Sequence, residues 1–226
     1  MSRLTRKTVE QRRQRLARLL PILERTYPGA KCSLNFTNPL ELLVATILSA
    51  QCTDERVNLV TKDLFRKYRR AADYAAASQE QMERDIQSIG LFRNKARSLR
   101  TMGQALVERH GGNVPDSMDE LVKLPGVGRK TANVVLGNAF GKDEGIVVDT
   151  HVTRLSNRLG LTRHEADAAK IEQDLMLIVP RERWTLLPHL LIHHGRAVCR
   201  AVNPSCDRCP LRDDCPSAGK KRGAKG

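Results

Sequence analysis

Four of the six cysteines fall within 17 residues, as Cys199-x6-Cys206-x2-Cys209-x5-Cys215. The segment between them is rich in Pro, Asn, Asp and Arg, so it cannot bury itself as an apolar core. Its thiols must be tied to something else. Disulfides need an oxidising compartment that nothing in the sequence indicates, and unrelated core thiols would not gather in so polar a stretch. The spacing suits a tetrathiolate metal centre, gripped by the short Cys206-x-x-Cys209 pair and completed by Cys199 and Cys215 across wider loops. On spacing alone, zinc and a 4Fe–4S cluster are both open. Cys32 and Cys52 stand apart and read as buried thiols.

The rest of the chain reads as all-α. Leu, Ala and Arg dominate, aromatic residues are only 4%, and no stretch alternates with the period of two that a half-buried strand requires. Leu16, Leu19, Leu20 and Leu23 recur at helical spacing and define a first amphipathic helix. Asn38-Pro39 opens a segment through Ala50 so continuously apolar that it predicts a buried helix. Thr53 or Asp54 caps a helix to about residue 67, and Ser78 with Gln81 resembles the capping box of a short one. Longer helices are expected over about 94–109 and, after a short one from Ser117, over 129–140. Further helices begin at Asp149 or Thr150 and run over about 163–177 and 184–197. The last ten residues, 217–226, have the composition of a disordered tail.

Between two of these helices lies Leu124-Pro125-Gly126-Val127-Gly128-Arg129-Lys130-Thr131-Ala132. Its glycines permit a sharp turn and close approach by another group, and the N–H groups opening the next helix can hold an anion. The turn therefore suits a phosphate of a DNA backbone, contacted without reading sequence. Lys130 sits in the first turn of that helix, where an amine could attack an electrophilic sugar carbon. From position alone it reads more readily as a solvated lysine or a phosphate contact. Asp149 reads from position as a helix N-cap.

Lys and Arg number 39 against 25 Asp and Glu, a formal net charge of +14. Such an excess attracts a polyanion through counterion release, and nucleic acid is the leading partner class. No apolar run approaches the roughly 20 residues of a membrane helix, so no membrane role is expected. The N-terminus carries Arg3, Arg6, Lys7, Arg12, Arg13, Arg15 and Arg18 without an apolar core, so no secretory signal is expected. Glu10 and the leucine spacing favour a folded helix there over a transit peptide.

Taken in order, Asn38-Pro-Leu-Glu-Leu-Leu, Leu48-Ser-Ala-Gln, Gly90-Leu-Phe-Arg-Asn-Lys-Ala, the 124–132 turn with its following Asn-Val-Val, Val148-Asp-Thr-His-Val and the cysteine spacing resemble the endonuclease III family. This family belongs to the helix-hairpin-helix DNA glycosylases, and the resemblance spans nearly the whole chain. It implies two helical domains flanking a cleft: a six-helix domain at 32–142 with the hairpin, and a cluster domain assembled from 1–31 and 143–226. It makes Cys199, Cys206, Cys209 and Cys215 the ligands of a 4Fe–4S cluster, Lys130 the nucleophile and Asp149 the essential carboxylate. It also places Gln51 and Leu91 on loops that enter the duplex when a nucleotide is extruded. Gly126, Gly128, Arg129, His151 and Arg154 become backbone contacts, as do Arg200, Arg208 and Arg212 on the cluster loop.

The implied activity is base excision followed by strand cleavage. Lys130 attacks C1′ of an oxidised pyrimidine nucleoside in duplex DNA, a Schiff base forms, and β-elimination nicks the abasic site. The implied protein is a monomer and, with a bacterial source assumed, works in the cytoplasm at the nucleoid. Three features depart from the family pattern: a 141–145 loop one residue longer than usual, Phe92 where tyrosine is frequent, and extended basic termini. The rival readings are a mismatch-specific glycosylase, against which Lys130 argues, and a noncatalytic helix-hairpin-helix module, against which Lys130 and Asp149 argue together.

Overall fold

A computed structural model describes residues 3–219, and the side chains from residue 8 onward. Among the described residues every regular element is helical. The chain divides into two compact units, Cys32–Glu144 and Met1–Lys31 with Gly145–Gly226. The second is built from both ends of the chain.

In the unit Cys32–Glu144, α2 (Pro39–Ser49) is the central element. Leu42, Leu43, Val44, Ala45, Ile47 and Leu48 on it are all buried, each large one contributing about 1.5–3 kcal/mol over an exposed position. Its start is fixed by Pro39 and by Asn38, which accepts the Glu41 N–H at 3.0 Å. The Glu41 carboxylate in turn takes the Thr37 hydroxyl at 2.8 Å. Around it lie α3 (Asp54–Lys67), α4 (Ala71–Ala76), α5 (Gln79–Asp85), α6 (Phe92–His110), α7 (Met118–Leu121) and α8 (Arg129–Phe140).

Thr53 and Ser78 cap α3 and α5 through the Arg56 and Gln81 N–H groups, as their positions suggest. Helix α4 is absent from the sequence reading. Its six residues are too few to show a period, and it is held instead by Asp73, which accepts the Arg69 and Arg70 N–H groups at 2.8 Å. Fully buried Tyr74 then stacks on Tyr68, with ring centroids 5.1 Å apart.

In the other unit, α1 (Arg3–Thr26), α9 (Thr150–Arg158), α10 (Ala168–Met176) and α11 (Leu186–Ala197) enclose a second core. Leu16, Leu19, Leu20 and Leu23 are its contribution from α1. Helix α10 begins five residues later than the expected residue 163, because Asp167 caps it by accepting the Lys170 N–H at 3.1 Å. Residues 163–167 are drawn off by an ion pair in the core: Asp174 accepts the Arg163 N–H at 3.0 Å and the Thr162 hydroxyl at 2.8 Å, and lies 2.9 Å from the Arg12 guanidinium. No helix among the described residues is long and apolar enough to cross a membrane. Of the tail expected at 217–226, Ala218 closes a turn to the Cys215 carbonyl, and residues 220–226 lie outside the described residues.

Candidate functional site

The hairpin forms between α7 and α8 in the unit Cys32–Glu144. Gly126 turns the chain at φ +79°, and a side chain there would meet Ser98 Cβ at 3.0 Å. Gly128 has φ −96° and would accept a side chain into open space. Neither backbone strain nor packing within this protein explains its lack of one. As the N-cap of α8 it also brings no side chain to the first amides, which leaves that helix end accessible to an anion. Arg129 and Lys130 follow, both exposed.

Gln51 and Leu91 belong to the same unit and share a backbone feature. Gln51 has φ +55° and Leu91 φ +58°, the left-handed region that side chains other than glycine rarely adopt. Such conformations cost about 1–3 kcal/mol each and persist where the surroundings impose them. Both residues are exposed, and Leu91 keeps 56% of its surface in solvent. Sequence patterns carry no signal for the left-handed backbone, since φ is not readable from a single Gln or Leu.

Asp149 lies in the cluster unit as the N-cap of α9, its Oδ1 accepting the Val152 N–H at 2.7 Å. On the same helix His151 Nδ1 accepts from Arg154 Nη2 at 3.1 Å. That nitrogen also reaches the carbonyls of Gly195 and Cys199 at 3.3 and 3.2 Å. Desolvation, with Arg158 nearby, lowers the affinity of the Arg154 guanidinium for its proton. Much of Arg154 is thus committed to the cysteine loop.

Arg158, one turn further along α9, was not singled out in the sequence. It donates to the carbonyls of Arg200 and Ala201 at 2.7 and 2.8 Å and to Cys199 Sγ at 3.3 Å. The i, i+4 spacing of the two arginines was its only trace, and on a helix such a pair normally marks a solvated face.

The four clustered cysteines form no disulfide and are all half-buried. Burial pushes the Cys209 thiol up and the neighbouring Cys199, Cys215 and Cys206 sulfurs push it the same way. The four side chains therefore share one locality. A metal centre would lower these thiols by binding their deprotonated forms. Among the described residues no three His, Cys, Asp or Glu side chains are grouped closely enough to hold a single ion, whereas four thiolates on separate irons of a cluster need not converge so tightly. Buried His194 lies between Tyr27, whose hydroxyl is 3.0 Å from Nδ1, and Cys209, whose Sγ is 3.5 Å from Nε2. Arg200, Arg208 and Arg212 are exposed on this loop, Arg212 with Asp207 at 3.6 Å. Cys32 and Cys52 pack half-buried against the core of the other unit.

A helical fold with a glycine hairpin and a four-cysteine loop defines the class. Residues 44–181 match the family model of the HhH-GPD superfamily base excision DNA repair proteins, and residues 199–215 that of the iron-sulfur binding domain of endonuclease III. The second match spans the four cysteines from first to last. Endonuclease III of Synechocystis is 51% identical over 96% of this chain and 99% of its own length; that of Bacillus subtilis is 52% identical over 88% and 90%. A solved structure of a trapped endonuclease III–DNA covalent intermediate, an estranged-adenine complex, superposes with a TM-score of 0.86 at 48% identity, covering 91% of this chain and 96% of that one. This chain belongs to the endonuclease III family. It is a DNA glycosylase and abasic-site lyase of base excision repair, and it carries a 4Fe–4S cluster.

Proposed function

We propose that this protein removes oxidised pyrimidines from duplex DNA and then nicks the abasic site, with Lys130 as the nucleophile and Asp149 as the essential carboxylate. The observation that carries the reading is an exposed amine in the first turn of α8, behind a helix end that Gly126 and Gly128 leave open to a phosphate. A phosphate held there would fix the damaged strand against the residue that attacks it. The covalent state of the endonuclease III–DNA relative supports chemistry through a protein nucleophile.

The Lys130 nitrogen would bond to C1′ as the bond from C1′ to the base breaks, the base leaving with the electron pair and taking a proton. Opening of the sugar ring converts the adduct into a Schiff base. Loss of a C2′ proton then expels the 3′ phosphate, and water hydrolyses the imine to return the amine. Asp149, oriented by its bond to the Val152 N–H, would stabilise the positive charge that builds on the sugar.

The two compact units would be the domains of the enzyme: Cys32–Glu144 the hairpin domain, and both chain ends the cluster domain. Cys199, Cys206, Cys209 and Cys215 would hold the cluster, whose iron–thiolate bonds supply the order of the loop. Arg129, His151, Arg200 and Arg208 would meet phosphates, with Arg154 serving chiefly as a brace. The protein would act as a monomer on the bacterial chromosome.

Asp149→Asn tests the assignment of the carboxylate. The amide oxygen can still cap α9, so stability should change by less than about 1 kcal/mol. Single-turnover excision of thymine glycol should fall about 100-fold or more. An unchanged rate would leave Asp149 as a cap alone.

A further inference from the structure

Lys95 is only 5% exposed, yet it stands on a helix face directed into the apolar core of Cys32–Glu144. Its ammonium donates to the Leu48 carbonyl at 2.9 Å and the Ala50 carbonyl at 2.5 Å. Both are end-of-helix acceptors of α2 that would otherwise lack a partner. The Ala50 carbonyl belongs to the peptide group that leads into Gln51. The backbone N–H of the same lysine bonds to the Leu91 carbonyl at 3.1 Å. That bond is the first rung of α6, which any residue at 95 would make; the Lys95 side chain adds the tie from this rung to the peptide group entering Gln51. The two loops also touch directly, since a Cβ on Gly90 would lie 3.3 Å from the Gln51 carbonyl oxygen.

We propose that Lys95 is a positioning residue for base extrusion, holding Gln51 and Leu91 in register so that both enter the duplex together. The inference rests on the reading of Gln51 and Leu91 as the inserting residues. A lysine is an expensive choice for a helix cap, because its charge must be taken out of water; burial does depress its affinity for the proton, while nearby Cys52 opposes that effect. A neutral hydroxyl would satisfy one carbonyl. The ammonium has three N–H groups and satisfies two carbonyls at the bend between α2 and α3. Removing it frees the Ala50 peptide group to rotate and lets Gln51 relax towards ordinary φ values.

Lys95→Met keeps the volume and removes the donors. A duplex with 2-aminopurine opposite the lesion reports unstacking by a rise in fluorescence, and single-turnover excision is measured on the same duplex. Lys95→Met should lose the rise and excise about 10–100-fold more slowly, the scale of a misplacement of about 1 Å. Affinity for undamaged duplex should stay within about twofold, because phosphate contacts dominate it. Adding Gln51→Ala to Lys95→Met should cost nothing beyond the slower single variant, since residues acting through one another are not additive. Gly90→Ala presses on the Gln51 carbonyl with Lys95 intact, and should reproduce the loss of fluorescence even if Lys95→Met does not fold. Wild-type fluorescence and rate in Lys95→Met or in Gly90→Ala, with Gln51→Ala slow, would overturn the role of Lys95. So would effects of Lys95→Met and Gln51→Ala that simply multiply. Wild-type rates in both Gln51→Ala and Leu91→Ala would instead remove the reading on which the inference rests.

Discussion

The two units of this protein are stabilised in different ways. Cys32–Glu144 is continuous in sequence, and its core is mainly apolar, with Thr61, Lys95 and Asn133 also buried in it. The other unit joins the two ends of the chain and buries Arg12, Ser156, Glu172, Asp174 and His194 beside its leucines. An apolar core is tolerant of register and forms from local helices, whereas buried ions and hydrogen bonds are satisfied in one arrangement only. The unit that must find a partner 145 residues away, as Arg15 finds the Gly160 carbonyl at 2.8 Å, is the one with a buried ion pair and a cluster. The contrast suggests that directional bonds do for the discontinuous unit what chain continuity does for the other.

If so, the cluster unit should be fragile towards changes that leave the hairpin unit untouched. The largest effect is expected from Cys209→Ser, which removes one thiolate from the cluster. The visible iron–sulfur absorption and most of the soluble yield should be lost, because metal binding to such a loop is itself folding free energy. Full yield of a colourless, active protein would break the contrast.

Asp174→Asn should cost about 3–5 kcal/mol, since it leaves the Arg12 charge buried without its partner. Burial alone would raise the Asp174 carboxyl, but the Arg163 N–H, the Thr162 hydroxyl and Arg12 together hold it below the ordinary carboxylate range. A denaturation midpoint within about 1 kcal/mol of wild type would show that apolar burial carries this unit too.

A smaller effect is expected with pH. Desolvation pushes the His189 imidazole down to about 4 from 6.5, with His193 adding to it and Asp149 opposing. Between these values the unfolded chain binds the proton and the folded one does not, so stability falls as pH drops from 6.5 towards 4. Melting curves of His189→Gln should show a shallower loss across that window. An unaltered slope would mean that His189 is not kept neutral by the fold.

How much of this was legible in the sequence follows the same division. The caps Asn38, Thr53, Ser78 and Asp149 were readable because a capping side chain bonds two or three residues ahead, and all four accept as their positions suggest. The α1 stripe and the buried α2 were readable from hydrophobic pattern. The late start of α10 was hidden, because it depends on Asp174 meeting Arg12 from the far end of the chain. The same is true of Arg158, whose acceptors lie more than 40 residues on. The left-handed backbone at Gln51 and Leu91 was hidden for another reason: motif resemblance pointed to those residues, but a single Gln or Leu carries no signal of its backbone angle. Cysteine spacing gave the centre but not its metal, which the family match supplied.

Lys130 is the amine proposed to join the DNA. Borohydride reduces a Schiff base to a stable adduct, so trapping on duplexes containing thymine glycol or an abasic site reads the claim directly. Wild-type protein should yield a covalent complex on both duplexes. Lys130→Gln should yield none and should not nick, while still binding the damaged DNA. A trapped adduct of undiminished amount with Lys130→Gln would mean that another amine is the nucleophile, and would contradict the account.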